Sequence, residues 1–152
     1  MLKIIKECKN PDILIITPLL TGHTISRETK ISIKRNDVPY IWASYTSENK
    51  HAYNCQAGID AFYKQFKYLP RYIFILDRDI ICDRGLLDKF YKLIKVSNNQ
   101  VAYVYCGFEY KGHINLKIPA TIYNVTALKL QNYISSNSLY KTDALLKIGG
   151  FV

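Results

Sequence analysis

The apolar run Tyr72-Ile73-Phe74-Ile75-Leu76 delivers the triplet Asp77-Arg78-Asp79. These two carboxylates are the residues of the chain best suited to chemistry. Five consecutive apolar residues, β-branched and aromatic for the most part, predict a strand covered on both faces. Acids at its exit belong on the sheet's carboxyl edge, where open α/β sheets bind ligands. If the extended geometry persists, the i, i+2 spacing sends both side chains off one face, roughly 7 Å apart at Cα. At that distance they repel by about 2 kcal/mol at an effective dielectric of about 20. A divalent cation turns that repulsion into a binding site. Magnesium or manganese, held by Asp77 and Asp79 together with substrate phosphates, is the expected combination of hard ligands. One such Asp would read as a turn or helix cap, but a pair favours metal and phosphate chemistry. Asp83 directly precedes a helical pattern and reads as its N-cap.

The elements that must position this pair are visible on either side. Asp12 to Thr17 reads as a buried strand stopped by Pro18, and a loop with Gly22 leads to a helix capped by Thr24 or Ser26 and running to about Lys34. The turn Asn36-Asp37-Val38-Pro39 precedes a second strand, Tyr40 to Tyr45. Ser47-Glu48-Asn49 opens a long helix with a stripe of Ala52, Cys55, Ile59, Phe62, Tyr63 and Phe66, closed by Leu69-Pro70. After the acidic triplet comes a third helix, with stripe Leu86, Leu87, Phe90, Tyr91 and Ile94, ended by Ser97-Asn98-Asn99. Val101 to Cys106 reads as a further strand. Phe108 to Tyr123 reads as an excursion or hairpin, and Val125 to Tyr133 as strand or helix. Asn137 to Tyr140 is strand-like, and Thr142 caps a short helix, Asp143 to Ile148, stopped by Gly149. This alternation predicts an α/β fold, a mostly parallel sheet with helices on both faces.

The long helix begins with a concentration of polar groups, Glu48, Asn49, Lys50, His51, Asn54 and Gln56. A helix N-terminus beside a sheet edge is an anion site, and Asn54, one turn in, could reach a nucleotide. A solvated helix face is the equal alternative. Gly58 within the helix costs about 1 kcal/mol against Ala, which points to close approach by a strand or a ligand. His23, His51 and His113 lack metal-ligand spacing and read as surface residues. The thirteen tyrosines read mainly as packing.

The chain has 152 residues, 49% hydrophobic and 22% charged, which is globular and excludes disorder. Its net charge of +9 favours an anionic partner, although a general lysine bias explains it equally well. Cys8, Cys55, Cys82 and Cys106 form no C-x-x-C pair, and they predict free thiols in a reducing compartment. With no signal-like start and no apolar run near the ~18 residues of a membrane span, a cytoplasmic protein without transmembrane segments is expected. Asn124-Val125-Thr126 then reads as a chance glycosylation match.

In this order the segments resemble glycosyltransferase family 2, the inverting nucleotide-sugar transferases of GT-A fold. Ile13 to Pro18 resembles that family's first strand. Lys50 to Ile59 resembles the helix that bears an Ala-Arg-Asn-x-Gly-Ile-like motif. Phe74 to Ile80 resembles the strand ending in Asp-x-Asp, and Ser138 to Phe151 resembles the acceptor-side segment ending in Gly-Gly-Phe. The resemblance implies a nucleotide-diphosphate sugar donor, a glycan or other hydroxyl acceptor, and a Mn2+ or Mg2+ cofactor acting as a Lewis acid on the leaving diphosphate. It implies that Asp79 ligates the metal and that Asp77 contacts the ribose or shares the metal. Thr17 and Pro18 would line the nucleotide pocket, and Asn54 would sit near the base or ribose. No nucleic-acid partner is expected.

The chain departs from the family pattern twice. Its helix motif reads Tyr53-Asn54-Cys55-Gln56-Ala57-Gly58, without an Arg before the Asn and with a longer gap to the Gly. The Glu-Asp or Asp-Asp pair that carries the family's catalytic base follows Gly-Gly-Phe, so the base is expected beyond Val152 and residues 1–152 are expected to be the nucleotide-sugar-binding portion, truncated at the C-terminus. Two other readings remain. One is a phosphatase of haloacid dehalogenase type, whose nucleophile motif is also a strand followed by Asp-x-Asp. The other is a non-catalytic nucleotide- or nucleic-acid-binding module, favoured by charge and tyrosines but not by acids that repel phosphate.

Overall fold

A computed structural model describes residues 1–97, 100–111, 115–130 and 133–151. Asn98 and Asn99, His113 and Val152, each singled out above, lie outside these residues. The elements are β1 (Leu2–Lys6), β2 (Ile13–Leu20), α1 (Arg27–Ile33), β3 (Tyr40–Ser47), α2 (His51–Phe66), β4 (Tyr72–Ile75) and α3 (Leu86–Val96), followed by β5 (Tyr103–Val104), β6 (Phe108–Tyr110), β7 (Leu116–Ile118), α4 (Val125–Leu130), β8 (Leu139–Lys141) and α5 (Thr142–Lys147).

Six strands form one sheet in the order β1-β3-β2-β4-β8-β5. Its centre is parallel, with β2 between β3 and β4. β1 is antiparallel to β3, and β8 is antiparallel to both β4 and β5, so four strands share one direction and two oppose it. The expected α/β class holds. The simple β-α-β alternation fails beyond α3, because β8 inserts between β4 and β5. Thr142 at its end is pinned to the start of β4, with Oγ1 donating to Pro70 O at 2.6 Å and the backbone N–H to Arg71 O at 3.0 Å.

Alternation along the strands divides the core in two. Ile13, Ile15, Trp42, Tyr72 and Phe74 pack with Ile33 of α1 and Leu87, Phe90 and Ile94 of α3. Leu14, Ile16, Ile41, Ala43, Ile73 and Ile75 pack with Cys55, Ile59 and Phe62 of α2 and Leu145 of α5. Helices therefore cover both faces, which is why these strands read as unbroken apolar runs. Gly58 is explained by the strands: a Cβ there would meet Ile16 Cγ2 and Tyr45 Cβ at 3.0 Å.

Several local expectations are corrected. β2 does not stop at Pro18 but runs to Leu20. Ile16 turns its carbonyl toward β4, accepting from Leu76 N–H at 3.0 Å, so Pro18, two residues on, turns its missing N–H to the same side. β4 has already ended there, and a proline costs no ladder bond. Asp83 is not the N-cap of α3. That place belongs to Gly85, in the left-handed conformation (φ 70°), and Asp83 gives only its carbonyl to Leu86 N–H. Thr142 opens α5 rather than capping it, and Lys141 is the N-cap. The strand expected over Val101 to Cys106 is only Tyr103–Val104, because its partner β8 is three residues long. Phe108 to Tyr123 does contain a hairpin, β6 paired with β7, and Val125–Leu130 is helical. Tyr63 is 55% exposed, and of the thirteen tyrosines only Tyr40 and Tyr72 are buried, so packing in the core does not account for most of them. The four cysteines are free thiols, Cys55 and Cys82 buried. No helix among the described residues is long and apolar enough to cross a membrane.

Candidate functional site

The parallel register creates a crevice. β2 pairs with β3 as far as Leu20 opposite Ser47, but with β4 only as far as Ile16 opposite Ile75. The last four residues of β2 thus lack a neighbour on the β4 side, where the chain turns away after Asp77. Into this gap come the turn after β4, the end of β2 and the start of α2. Pro18, Leu19, Leu20, His23, the 48–51 run, Asn54 and the Asp77-Arg78-Asp79 triplet line a cleft of about 580 Å³. It lies outside the carboxyl ends of the parallel strands.

The two acids differ in environment. The extended geometry does not persist: Ile80 N–H closes a turn on Asp77 O at 3.4 Å, so Asp79 sits in a turn and is exposed. Among the described residues, no hydrogen bond or ion pair engages the Asp79 carboxylate. Asp77, by contrast, is half-buried with both oxygens engaged. Oδ1 accepts from His51 Nε2 at 2.6 Å. Oδ2 accepts from Asn137 Nδ2 at 3.0 Å and from Ser136 Oγ at 3.4 Å, while Asn137 Oδ1 takes the Asp77 N–H at 2.8 Å. Burial pushes the Asp77 carboxyl up. Hydrogen bonds from His51, Asn137 and Ser136 and the charge of His51 outweigh it, and hold the carboxyl below its ordinary value. The hydrogen bond to Asp77, then the contact with Cys55 Sγ at 3.7 Å from Nδ1, raise His51 to about 10. His51 is therefore an imidazolium at neutral pH, and its short contact to Asp77 is a charge-assisted hydrogen bond.

The turn itself is fastened from behind. Arg78 O accepts from Ser26 N–H at 2.8 Å and from Thr29 Oγ1 at 3.0 Å. Ser26 is also the N-cap of α1, its Oγ accepting from Thr29 N–H at 3.0 Å, as the sequence suggests.

The other expected site residues fall in three kinds of place. Pro18 lines the cleft. Thr17 does not: it is fully buried on the opposite face of β2, where its Oγ1 accepts from Trp42 Nε1 at 2.9 Å. Asn54 reaches the cleft wall but is 1% exposed, and its amide holds the frame together. Its Nδ2 donates to Leu19 O (2.9 Å) and Asn49 O (3.2 Å), and its Oδ1 accepts from Ser47 Oγ (2.5 Å). It ties the ends of β2 and β3 to the approach of α2. The Gly149-Gly150-Phe151 segment does not line the cleft. It closes α5 with paired bonds, Gly150 N–H to Leu145 O and Gly149 N–H to Leu146 O. It then docks on α2, where Gln56 Oε1 accepts from Phe151 N–H at 3.0 Å. Gly150 has a left-handed φ of 84° that strains a residue with a Cβ, and a Cβ there would lie 2.0 Å from that same oxygen and displace the Gln56 amide.

His51, Asn137 and Ser136 are the site residues that sequence reading missed. The register Phe74 opposite Leu139, extended by three residues, sets Asp77 opposite Ser136. The antiparallel insertion of β8 brings Ser136 and Asn137 to the acid, with no local pattern to mark it, and His51 arrives from the first turn of α2.

The donor set suits a hard cation in part. Asp79 offers a free carboxylate facing the cleft, whereas Asp77 would have to exchange His51 to coordinate. Among the described residues no group of three or more His, Cys, Asp or Glu side chains is arranged to hold a metal. One carboxylate completed by ligand phosphates is the arrangement these residues allow. Lys50, Arg78 and His51 put positive charge beside it, so the cleft can take an anion that brings oxygen donors of its own. No protein-family model matches the chain, and no curated protein sequence matches it.

Proposed function

We propose that this protein binds a nucleoside-diphosphate sugar in the β2–β4 cleft and transfers the sugar, with inversion, to a hydroxyl acceptor, as the resemblance to glycosyltransferase family 2 and its GT-A fold implies. One observation carries the reading: the Asp77-Arg78-Asp79 exit of a central parallel strand shares a cleft of about 580 Å³ with the start of the 16-residue helix α2. A cleft of that volume suits a nucleotide-sized ligand.

Each residue then has a role. Asp79 would hold Mn2+ or Mg2+ alongside a bound diphosphate. Asp77, fixed by His51, Asn137 and Ser136, presents the remaining lone pair of Oδ1 to a ribose hydroxyl. Lys50 and Arg78 bring charge to the diphosphate as it leaves. Pro18 to Leu20 form an apolar wall for the base, and Asn54 keeps that wall in register with α2. The metal, when bound, supplies Lewis-acid stabilisation of the leaving diphosphate. Inverting displacement also requires a base for the acceptor hydroxyl. The resemblance assigns that group to the segment after Gly-Gly-Phe, and the described residues supply the donor side. In the phosphatase alternative Asp77 is the nucleophile, and its charge-assisted bond to His51 on Oδ1 with two further bonds on Oδ2 makes it a poor one.

Calorimetry with UDP, GDP, CDP and dTDP, with and without Mn2+, tests this reading. Saturable binding of at least one nucleotide is expected, weakened tenfold or more by Asp79→Asn and by chelation. Folded protein that binds none of the four overturns it.

A further inference from the structure

A second cavity, of about 310 Å³, lies between the end of α1 and the turn that starts α3. Lys34, Arg35, Asp37 and Arg84 line it. It is remote from the cleft: Ser26, capping the start of α1, touches the Asp77–Asp79 turn, whereas this cavity is at the other end of the helix, roughly 10 Å away for seven residues.

Lys34 and Arg35 alone would need no ligand. Cations after a helix C-terminus complement its dipole. Arg84 has no such excuse. It precedes Gly85, the N-cap of the 11-residue α3, where added positive charge is disfavoured. Nor are the three neutralised by the protein. The Asp88 carboxylate is turned to the backbone, accepting from Asp37 N–H at 3.0 and 3.1 Å and from Val38 N–H at 2.7 Å. Among the described residues neither Lys34, Arg35 nor Arg84 forms an ion pair.

The frame beneath them is rigid. Gly85 N–H donates to Arg35 O at 3.3 Å. Buried Asn36 bridges the two helices, its Nδ2 donating to Ile33 O at 2.9 Å and its Oδ1 accepting from Leu87 N–H at 2.8 Å. Arg35 and Arg84 are thereby held at one mouth although they lie 49 positions apart in the chain. The lining carries three cations and one carboxylate, and Asp88, held on the Asp37 and Val38 N–H groups, adds a second negative charge beside it. A phosphate monoester carries about −1.5 to −2 at neutral pH, and guanidinium forks bind its oxygens in bidentate geometry.

We propose that this cavity is a phosphoryl-binding site, separate from the β2–β4 cleft, which takes a dianionic phosphate either as free inorganic phosphate or as the phosphate ester of a small metabolite. Arg35 and Arg84 grip the oxygens, Lys34 adds charge, and Asp37 lowers affinity. No metal is required.

The test is amide NMR titration of the full chain with inorganic phosphate and, separately, glycerol 3-phosphate. Both are run in excess EDTA against potassium chloride of matched ionic strength. Saturable shifts are expected at Arg35, Gly85 and Leu86, weakened at least tenfold in the double variant Arg35→Gln/Arg84→Gln and unchanged in Asp79→Asn. Asp37→Asn should tighten binding about two- to fivefold, a gain that misfolding cannot produce. Tighter binding of glycerol 3-phosphate assigns an organic ester, and tighter binding of phosphate assigns the free ion; either supports the proposal. Shifts that follow ionic strength alone, that centre on the 77–79 turn, or that survive the double variant overturn it.

Discussion

The β3-β2-β4 layer and the stretch from β5 to α4 are built from similar apolar residues and have opposite fates. Every residue from Ile13 to Leu19 is buried, whereas Ile122 and Leu130 are 93% and 86% exposed, and no residue of α4 is buried. The cause is coverage. The first region has helices on both faces of each strand, and the β6–β7 ribbon belongs to a separate two-stranded sheet. Apolar character decides burial only where a second layer exists to receive it. The candidate chemistry sits at the rim of the covered region, which gives Asp77 and Asp79 a rigid footing.

Four substitutions sharpen this contrast. Phe74→Ala, in the centre of β4 and packed edge-on to Phe90 with ring centroids 6.2 Å apart, should lower stability by about 3–5 kcal/mol in a urea titration. Thr17→Val keeps the shape of β2 but strips the acceptor from the buried Trp42 indole, and a loss of about 1–3 kcal/mol is expected. At the rim the effects shrink. The His51–Asp77 pair, half exposed to solvent, should contribute about 0.2–1 kcal/mol. His51 is raised on folding, so its contribution is complete below about pH 6.5 and fades as pH rises through about 10. Asp77 is lowered, so its contribution is complete above its ordinary range and is lost only in acid. Melting curves of wild type and His51→Gln should therefore converge between pH 7 and 10. A constant difference would show that the pair does not govern the stability of the rim. Smallest of all, Leu130→Ser should shift stability by no more than about 0.5 kcal/mol. A larger loss would mean that α4 packs on something after all.

Legibility in the sequence follows the same division. β2, β3, α2, β4 and α3 were readable because continuous apolar runs and 3.6-residue stripes coincide there with burial. The Asp77/Asp79 pair was readable because acids stand out after such a run. β1 was not, since Leu2-Lys3-Ile4-Ile5-Lys6 has a mixed pattern and pairs only because β3 offers an open edge. Asn137 and His51 look ordinary in the sequence; Asn137 becomes a partner of Asp77 through strand order, and His51 through the placement of the first turn of α2. Asp83 misled because the extra Arg84-Gly85 step moves the helix start by two residues.

Pro18 has a consequence for how the protein behaves among its neighbours. A central strand left half unpaired is a template onto which another chain can add by backbone hydrogen bonding. The proline removes a donor from that unpaired stretch, and Leu20 O already accepts from His23 N–H, so a visiting strand finds the ladder broken where it would begin. The crevice can thus stay open to small ligands without becoming a seed for self-association.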